Sequence, residues 1–244
     1  MAGHATVANR VLALASSVLG RGVEWGHIET NPARGIRRNK EYSRDRFIQS
    51  DELPRFFKAV GEEENTGIRD YFLLSLLTGA RRANVLSMRW QEVNMKRGEW
   101  RITVTKNGTP QTVPLIPEAL EILRIRLVAA EKDAVFVFPG PGKKGHLIEP
   151  RKGWLRILKR AKLSDLRIHD LRRTLGSWQA KTGASLAIIG KSLNHKNQQT
   201  TAIYARLDLD PVRQSMETAT SAMLEAGGLK KLGEVVAIKK RLSA

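Results

Sequence analysis

Apolar positions recur at helical spacing near the start of the chain: Val7, Val11, Leu14, Val18 and Leu19 predict an amphipathic helix over about 6–26. A second helix is predicted after Ser50, a good N-cap with Asp51 and Glu52 in the first turn, through Leu53, Phe56, Phe57 and Val60. Residues 68–77 are strongly apolar, which predicts a helix buried on most sides and stopped by Gly79. Beyond that glycine the helical period resumes from Arg81 through Val85, Leu86 and Met88. One stretch has period two. Trp100, Ile102 and Val104 alternate with Arg101, Thr103 and Thr105, Asn107-Gly108 supplies a two-residue hairpin turn, and residues 111–115 return. Strict alternation puts Lys106 on the Trp100 face, so either the turn re-aims it or that face opens to a ligand.

Helical signals dominate the remainder. Pro117 opens a helix through Leu120, Leu123 and Leu127, and a short buried run over 135–138 precedes a Gly/Pro/Lys loop in which Lys143 and Lys144 read as solvated. A basic helix follows over 154–163. The next runs from near His169 to Ala180 and carries His169 and Arg172 three apart, on one face. Ser185 caps a helix leading to Leu193, Asn197 caps the one carrying Tyr204, and Asp210-Pro211 starts a helix to about Leu224. In the basic tail, Val235–Ile238 reads as a short strand. The sum is mostly α with a small antiparallel β-sheet, an α+β fold.

Charge narrows the partner. The 244 residues carry 42 Lys+Arg against 24 Asp+Glu, a net +18 spread along the whole length, which points to a polyanion and most simply to nucleic acid. The absence of Cys excludes a disulfide framework and a thiolate zinc site, and five His without a close pair argue against a His-built metal site. The apolar run after Arg10 is interrupted by Ser16 and Ser17 and flows into a charged segment, unlike a signal peptide. No apolar run is long enough to span a bilayer, so the expectation is a soluble protein with no membrane partner. Residues 29–46 hold Arg34, Arg37, Arg38, Lys40, Arg44 and Arg46 without an apolar period. That run is either a solvated loop or a linker tracking a phosphate backbone, and the motifs downstream favour the linker.

Four segments carry the chemistry. They are Thr78-Gly79-Ala80-Arg81-Arg82-Ala83-Asn84-Val85-Leu86, the hairpin Lys106-Asn107-Gly108, His169-Asp170-Leu171-Arg172-Arg173-Thr174, and Leu193-Asn194-His195 with Tyr204 nine positions on. In this order and spacing they resemble the catalytic domain of the tyrosine recombinases, the phage-integrase family, most of all the integrases of prophages and genomic islands. The resemblance runs from about Arg46 to Leu224. It implies that Arg81 and Arg172 bind phosphate, that Lys106 is the hairpin lysine, that His169 opens the His-x-x-Arg box, that His195 is the second histidine and that Tyr204 is the nucleophile. Two positions depart from the family pattern: Asn84 stands where many members have Glu or Asp, and Asn194 replaces the usual Gly before His195.

Elementary chemistry agrees. A phosphodiester in its pentacoordinate transition state gathers charge on the non-bridging oxygens, which planar guanidinium groups bind in two-pronged fashion. His195 can add a hydrogen bond to the same oxygens. Tyr204 must lose its proton as it attacks, with His169 as the acceptor or relay, and Lys106 can protonate the departing 5′-oxygen. Each group also has an ordinary role. Arg81 and Arg172 could be ion-pair partners of Asp70 or Asp170, Lys106 a solvated turn residue, His169 a helix cap and His195 a cation at a helix end.

The expectation is therefore a site-specific DNA recombinase that needs no cofactor or metal and acts through a 3′-phosphotyrosyl intermediate. Residues 1–40 would be the end of a core-binding domain plus a basic linker, 41–226 the catalytic domain, and 227–244 a tail exchanged between protomers. The chain reads as lacking most of the N-terminal part that such integrases have. Double-stranded DNA would be contacted by Arg34, Arg37, Arg38, Lys40, Arg82 and Arg173. The resemblance implies a homotetramer on two duplexes, a monomer without DNA, DNA-bending accessory proteins, and a bacterial cytoplasmic, nucleoid-associated location. Two rivals remain: a type IB topoisomerase with a similar pocket, and a non-catalytic DNA-binding remnant of a defective integrase.

Overall fold

The computed structural model describes residues 2–41, 44–103, 108–195, 197–204 and 210–228. These fall into two units, Met1–Asp45 and Arg46–Ala244. In the first, α1 spans Ala2–Glu24, starting earlier than its apolar period. The apolar stripe is real but open: Val7, Val11, Leu14 and Val18 are all exposed. Asparagines tie the following segment back onto the helix. Asn31 Nδ2 donates to Ser16 O at 2.8 Å, while Asn9 exchanges hydrogen bonds with the main chain of Asn39. Arg34, Arg37, Arg38 and Lys40 are exposed on this segment, which holds no helix or strand.

In the second unit, α2 (Leu53–Gly61), α3 (Thr66–Thr78), α5 (Pro117–Val128), α6 (Arg151–Ala161) and α7 (Asp170–Lys181) build the core. Helix α3 packs against both α5 and α7, which is why its sequence is apolar almost all round. Tyr71, Phe72 and Leu74 are fully buried on it, each worth about 1.5–3 kcal/mol in apolar burial. Helix α2 starts later than the Ser50 cap predicts. Ser50 lies in a turn and Glu52 takes the N-cap position, because the Glu52 carboxylate is held by Arg46 at 2.6 Å and by the Gln49 N–H at 2.9 Å. The predicted buried run over 135–138 is half right: Val137 and Phe138 are buried, whereas Val135 is exposed.

The sheet has three antiparallel strands, β1 (Val93–Asn94), β2 (Glu99–Ile102) and β3 (Gln111–Pro114), in that order. Two-residue β1 was not predicted, since two residues carry no period. Trp100 pairs with Val113 and Ile102 with Gln111, all on the buried face. A two-residue turn centred on Asn107-Gly108 would instead set Ile102 opposite Val113. Lys106, the hairpin tip before Gly108 and Val235–Ile238 lie outside the described residues.

Glycine and asparagine shape the rest. Asn65 Oδ1 accepts the Ile68 N–H at 3.0 Å to open α3, and Gly79 closes it in a left-handed conformation at φ 57°. A Cβ at Gly79 would lie 2.7 Å from Leu175 and 2.8 Å from Leu193, so only glycine lets this turn close against α7 and the end of the next short helix. Around it stand α4 (Arg82–Leu86), α8 (Leu186–Ser192) with its predicted Ser185 cap, and α9 (Gln198–Thr201) with its Asn197 cap. Tyr204 lies just beyond α9 rather than on it. Helix α10 (Asp210–Ala226) leaves Met216 and Met223 exposed.

Candidate active site

Two arginines reach one short stretch of backbone. Helix α8 ends at Ser192, and Asn194 turns the chain at φ 49°, so that the Leu193 and Asn194 carbonyls lie beyond the helix. Arg172, in the first turn of α7, donates from Nη1 to Gly79 O at 2.6 Å and from Nη2 to Leu193 O. Arg81, at the N-cap position of α4, donates from Nη2 to Asn194 O at 3.0 Å. The left-handed backbone explains why asparagine can replace glycine before His195, because Asn tolerates this region better than other side chains. Asn84 hydrogen-bonds Arg81 through its main chain only, its N–H reaching Arg81 O at 2.8 Å.

The ion-pair alternatives do not hold. Asp70 is taken by Arg69 at 3.0 Å and Arg126 at 3.2 Å, and Asp170 accepts the Arg167 N–H at 2.8 Å. Among the described residues no carboxylate pairs with Arg81 or Arg172. Arg172 is 5% exposed, and burial together with the neighbouring Arg81 charge lowers its pKa to about 10. It stays cationic at neutral pH. Arg81 Nη1 and Asn194 Nδ2 are buried donors without a partner among the described residues.

Both histidines are kept neutral. Burial first, then Arg172, Arg81 and His169, push His195 down to about 4, so it is not a cation at a helix end. His169, at the N-cap position of α7, is lowered by burial, Arg172 and Arg173. Tyr204 is 3% exposed, its ring stacked on His195 at 6.3 Å between centroids and 7° between planes. Its ring also lies against Gly176, where a Cβ would come within 2.7 Å of Tyr204 Cζ. Burial raises the phenol pKa against the opposing pull of Arg172 and Arg173, so the hydroxyl is protonated in the resting site.

The structure thus gathers Arg81, His169, Arg172, His195 and Tyr204. Arg173 stands on the same helix and acts electrostatically on Tyr204. Arg82 points elsewhere, pairing at 3.4 Å with exposed Glu149. Sequence reasoning missed the carbonyls of Gly79, Leu193 and Asn194 and the hydroxyl of Thr201, 3.0 Å from His195 Nδ1. Only the asparagine in a glycine position hinted at them.

The lowered histidine pKa values carry an acid signature. A group whose folded pKa lies below its unfolded value binds more protons unfolded, so stability rises with pH across the interval between the two. For His195 that interval is 6.5 down to about 4. The thermal unfolding temperature is expected to fall as pH is lowered from 6.5 to 4.5, with a shallower slope in His195→Gln; Glu52 and Glu63, also held low, add their loss only at lower pH.

Cationic forks held by backbone carbonyls, beside a neutral imidazole and a protonated phenol, suit a tetrahedral oxyanion under nucleophilic attack. The sequence profile of the phage integrase family matches residues 46–210. The chain belongs to the phage integrase family. This integrase-family chain is 30% identical to prophage integrase IntF of Escherichia coli (strain K12) over 189 residues, 76% of the chain and 40% of that protein. It is 34% identical to the shufflon-specific DNA recombinase of Escherichia coli over 166 residues, 66% of the chain and 40% of that protein. The chain spans about two fifths of the length of these curated relatives. In structure it is similar to the Tn1549 transposon integrase in complex with a circular intermediate DNA, with a TM-score of 0.69 at 13% identity, covering 88% of this chain and 79% of that one. A lambda integrase dimer bound to a COC′ core site gives 0.64 at 20% identity, covering 83% and 74%. The fold is that of tyrosine recombinase catalytic domains, mostly helical with a three-stranded antiparallel sheet. Among the described residues no helix is long and apolar enough to cross a membrane.

Proposed function

We propose that this chain carries the catalytic centre of a site-specific DNA recombinase that cleaves and rejoins double-stranded DNA through a 3′-phosphotyrosyl link, with no metal ion in the chemistry. The observation that carries this reading is the convergence of Arg81 and Arg172, held by backbone carbonyls rather than by carboxylates, beside a buried tyrosine. Their charge is left for a phosphate, whose non-bridging oxygens would take the free guanidinium N–H groups. Tyr204 Oη attacks phosphorus and its proton passes to His169; the bond from phosphorus to the 5′-oxygen breaks, and that oxygen takes a proton from Lys106. The phosphodiester energy is kept in the new O–P bond, so a different 5′-hydroxyl can reverse the step and join strands. His195, neutral, donates one hydrogen bond to the charge that develops. The cations this chemistry needs are side chains.

The basic residues Arg34, Arg37, Arg38 and Lys40, with Arg82 and Arg173, would grip the sugar–phosphate backbone without reading sequence. Residues 1–40 are read as the end of a core-binding domain with its linker, 41–226 as catalytic domain, and 227–244 as an exchanged tail. Exposed α10, with Met216 and Met223 on its surface, supports exchange between protomers in a tetramer on two duplexes. DNA-bending accessory proteins and a bacterial cytoplasmic, nucleoid-associated setting belong to the same reading.

A nicked duplex of the native attachment core, whose cleaved fragment diffuses away, tests the proposal. Denaturing electrophoresis is expected to show a covalent protein–DNA band, formed equally well in EDTA. Binding of the duplex with no such band, with or without magnesium, would leave only a DNA-binding role.

A further inference from the structure

We propose that Thr201 is the positioning residue that sets the tautomer of His195, its hydroxyl donating to Nδ1 so that the single ring proton sits on Nε2, facing the phosphate. This rests on the recombinase reading above, which gives that proton its use. No motif singled Thr201 out. It reads as one of two β-branched residues on a four-residue helix.

The geometry decides the direction of the hydrogen bond. A neutral imidazole has one N–H and one acceptor nitrogen, and burial beside two arginines keeps this ring neutral. Thr201 Oγ1 lies 3.0 Å from Nδ1, and a hydroxyl can donate or accept, so distance by itself allows both tautomers. Burial removes one of them. Thr201 is 2% exposed, and among the described residues Nδ1 is the one acceptor its hydroxyl meets. If Nδ1 carried the proton, the threonine O–H would be buried with nothing to bond, a costly arrangement. With Thr201 donating, both groups are satisfied and the ring proton is left on the other side.

Helix α8 holds this pair in place. Gly190 O accepts the His195 N–H at 2.9 Å, and the missing side chain of Gly190 makes room for the threonine, since a Cβ there would stand 3.2 Å from Thr201 Oγ1. One residue thus anchors the histidine backbone and leaves space for the group that orients its ring. An imidazole oriented through its second nitrogen is a known way of fixing the tautomer a site needs.

The test pairs Thr201→Val, which keeps shape and loses the hydroxyl, with Thr201→Ser, which keeps the hydroxyl. In single-turnover formation of the covalent band, Thr201→Val is expected to be slower by about 10–100-fold and Thr201→Ser close to wild type. Nitrogen-15 NMR of histidine-labelled protein reads the tautomer directly. The wild type and Thr201→Ser are expected to show His195 protonated on Nε2, and Thr201→Val a mixture of tautomers. The proposal is overturned if wild-type His195 carries its proton on Nδ1, if folded Thr201→Val cleaves within about twofold of wild type, or if folded Thr201→Ser is as slow as Thr201→Val, which would make the methyl the relevant group. Should the wild type form no covalent band, the recombinase reading fails, while the NMR measurement still decides the tautomer.

Discussion

Tyr204→Phe is expected to abolish the covalent protein–DNA band entirely while leaving DNA binding within about twofold of wild type. The substitution removes one oxygen and nothing else. The ring of Tyr204 is packed against Gly176 and stacked on His195, and a phenylalanine ring retains both contacts. With Ile189 and Leu193 it forms a small cluster apart from the main core. Burial keeps the phenol protonated, so its loss removes no charge from the resting site. Thermal stability should therefore match the wild type. Adduct formation and filter binding, measured on the same preparations, separate the two roles. A Phe variant that still forms the band would place the nucleophile elsewhere, and one that loses binding with it would mean that the hydroxyl serves structure.

How much of this was legible beforehand depends on whether a residue acts through its side-chain type or through its backbone. Gly79 as a helix stop, Ser185 as a cap and Pro117 as the first residue of α5 are local properties, and the structure repeats them, whereas Leu127 of the predicted α5 stripe is exposed. The five chemical groups of the site were legible because their types and order carry the signal. Other features arise from tertiary context. Glu52 rather than Ser50 stands at the start of α2 because Arg46, six residues upstream, holds its carboxylate. Strand β1 exists only because Val93 finds Trp100. The carbonyls that grip Arg81 and Arg172 belong to Gly79, Leu193 and Asn194, and a carbonyl has no sequence signature. Thr201 was illegible for a similar reason, since its hydroxyl matters only where the α8–α9 turn places it beside His195. Asn194 is the instructive intermediate: read as a departure from the family, it proves to occupy the left-handed position that makes glycine usual there.

Arg172→Lys is expected to slow covalent cleavage by about 10²–10³-fold, the cost of losing a fixed donor to a developing oxyanion. The charge is formally kept, so the prediction turns on shape and on proton affinity. Arg172 spans two carbonyls, Gly79 O and Leu193 O, with its two terminal nitrogens, and this spread fixes the plane from which its remaining N–H groups meet a phosphate. A lysine ammonium is a point charge on a flexible stem, with no planar fork to bridge both carbonyls. Burial also acts differently on the two. The site lowers arginine from 12.5 to about 10, which leaves it fully charged at neutral pH. The same burial acting on a lysine, which starts lower at about 10.4, would bring its proton affinity down toward the neutral range. The variant should thus lose its residual activity as pH rises from 7 to 9, whereas the wild type keeps its arginine charge over that range. Single-turnover rates at the two pH values check both parts. A lysine variant within tenfold of wild type at pH 7 would mean that charge suffices. A variant that is slow but insensitive to pH would mean that the ammonium has escaped burial, and that the loss lies in geometry: two backbone carbonyls have lost the guanidinium that tied the end of α3 to the end of α8.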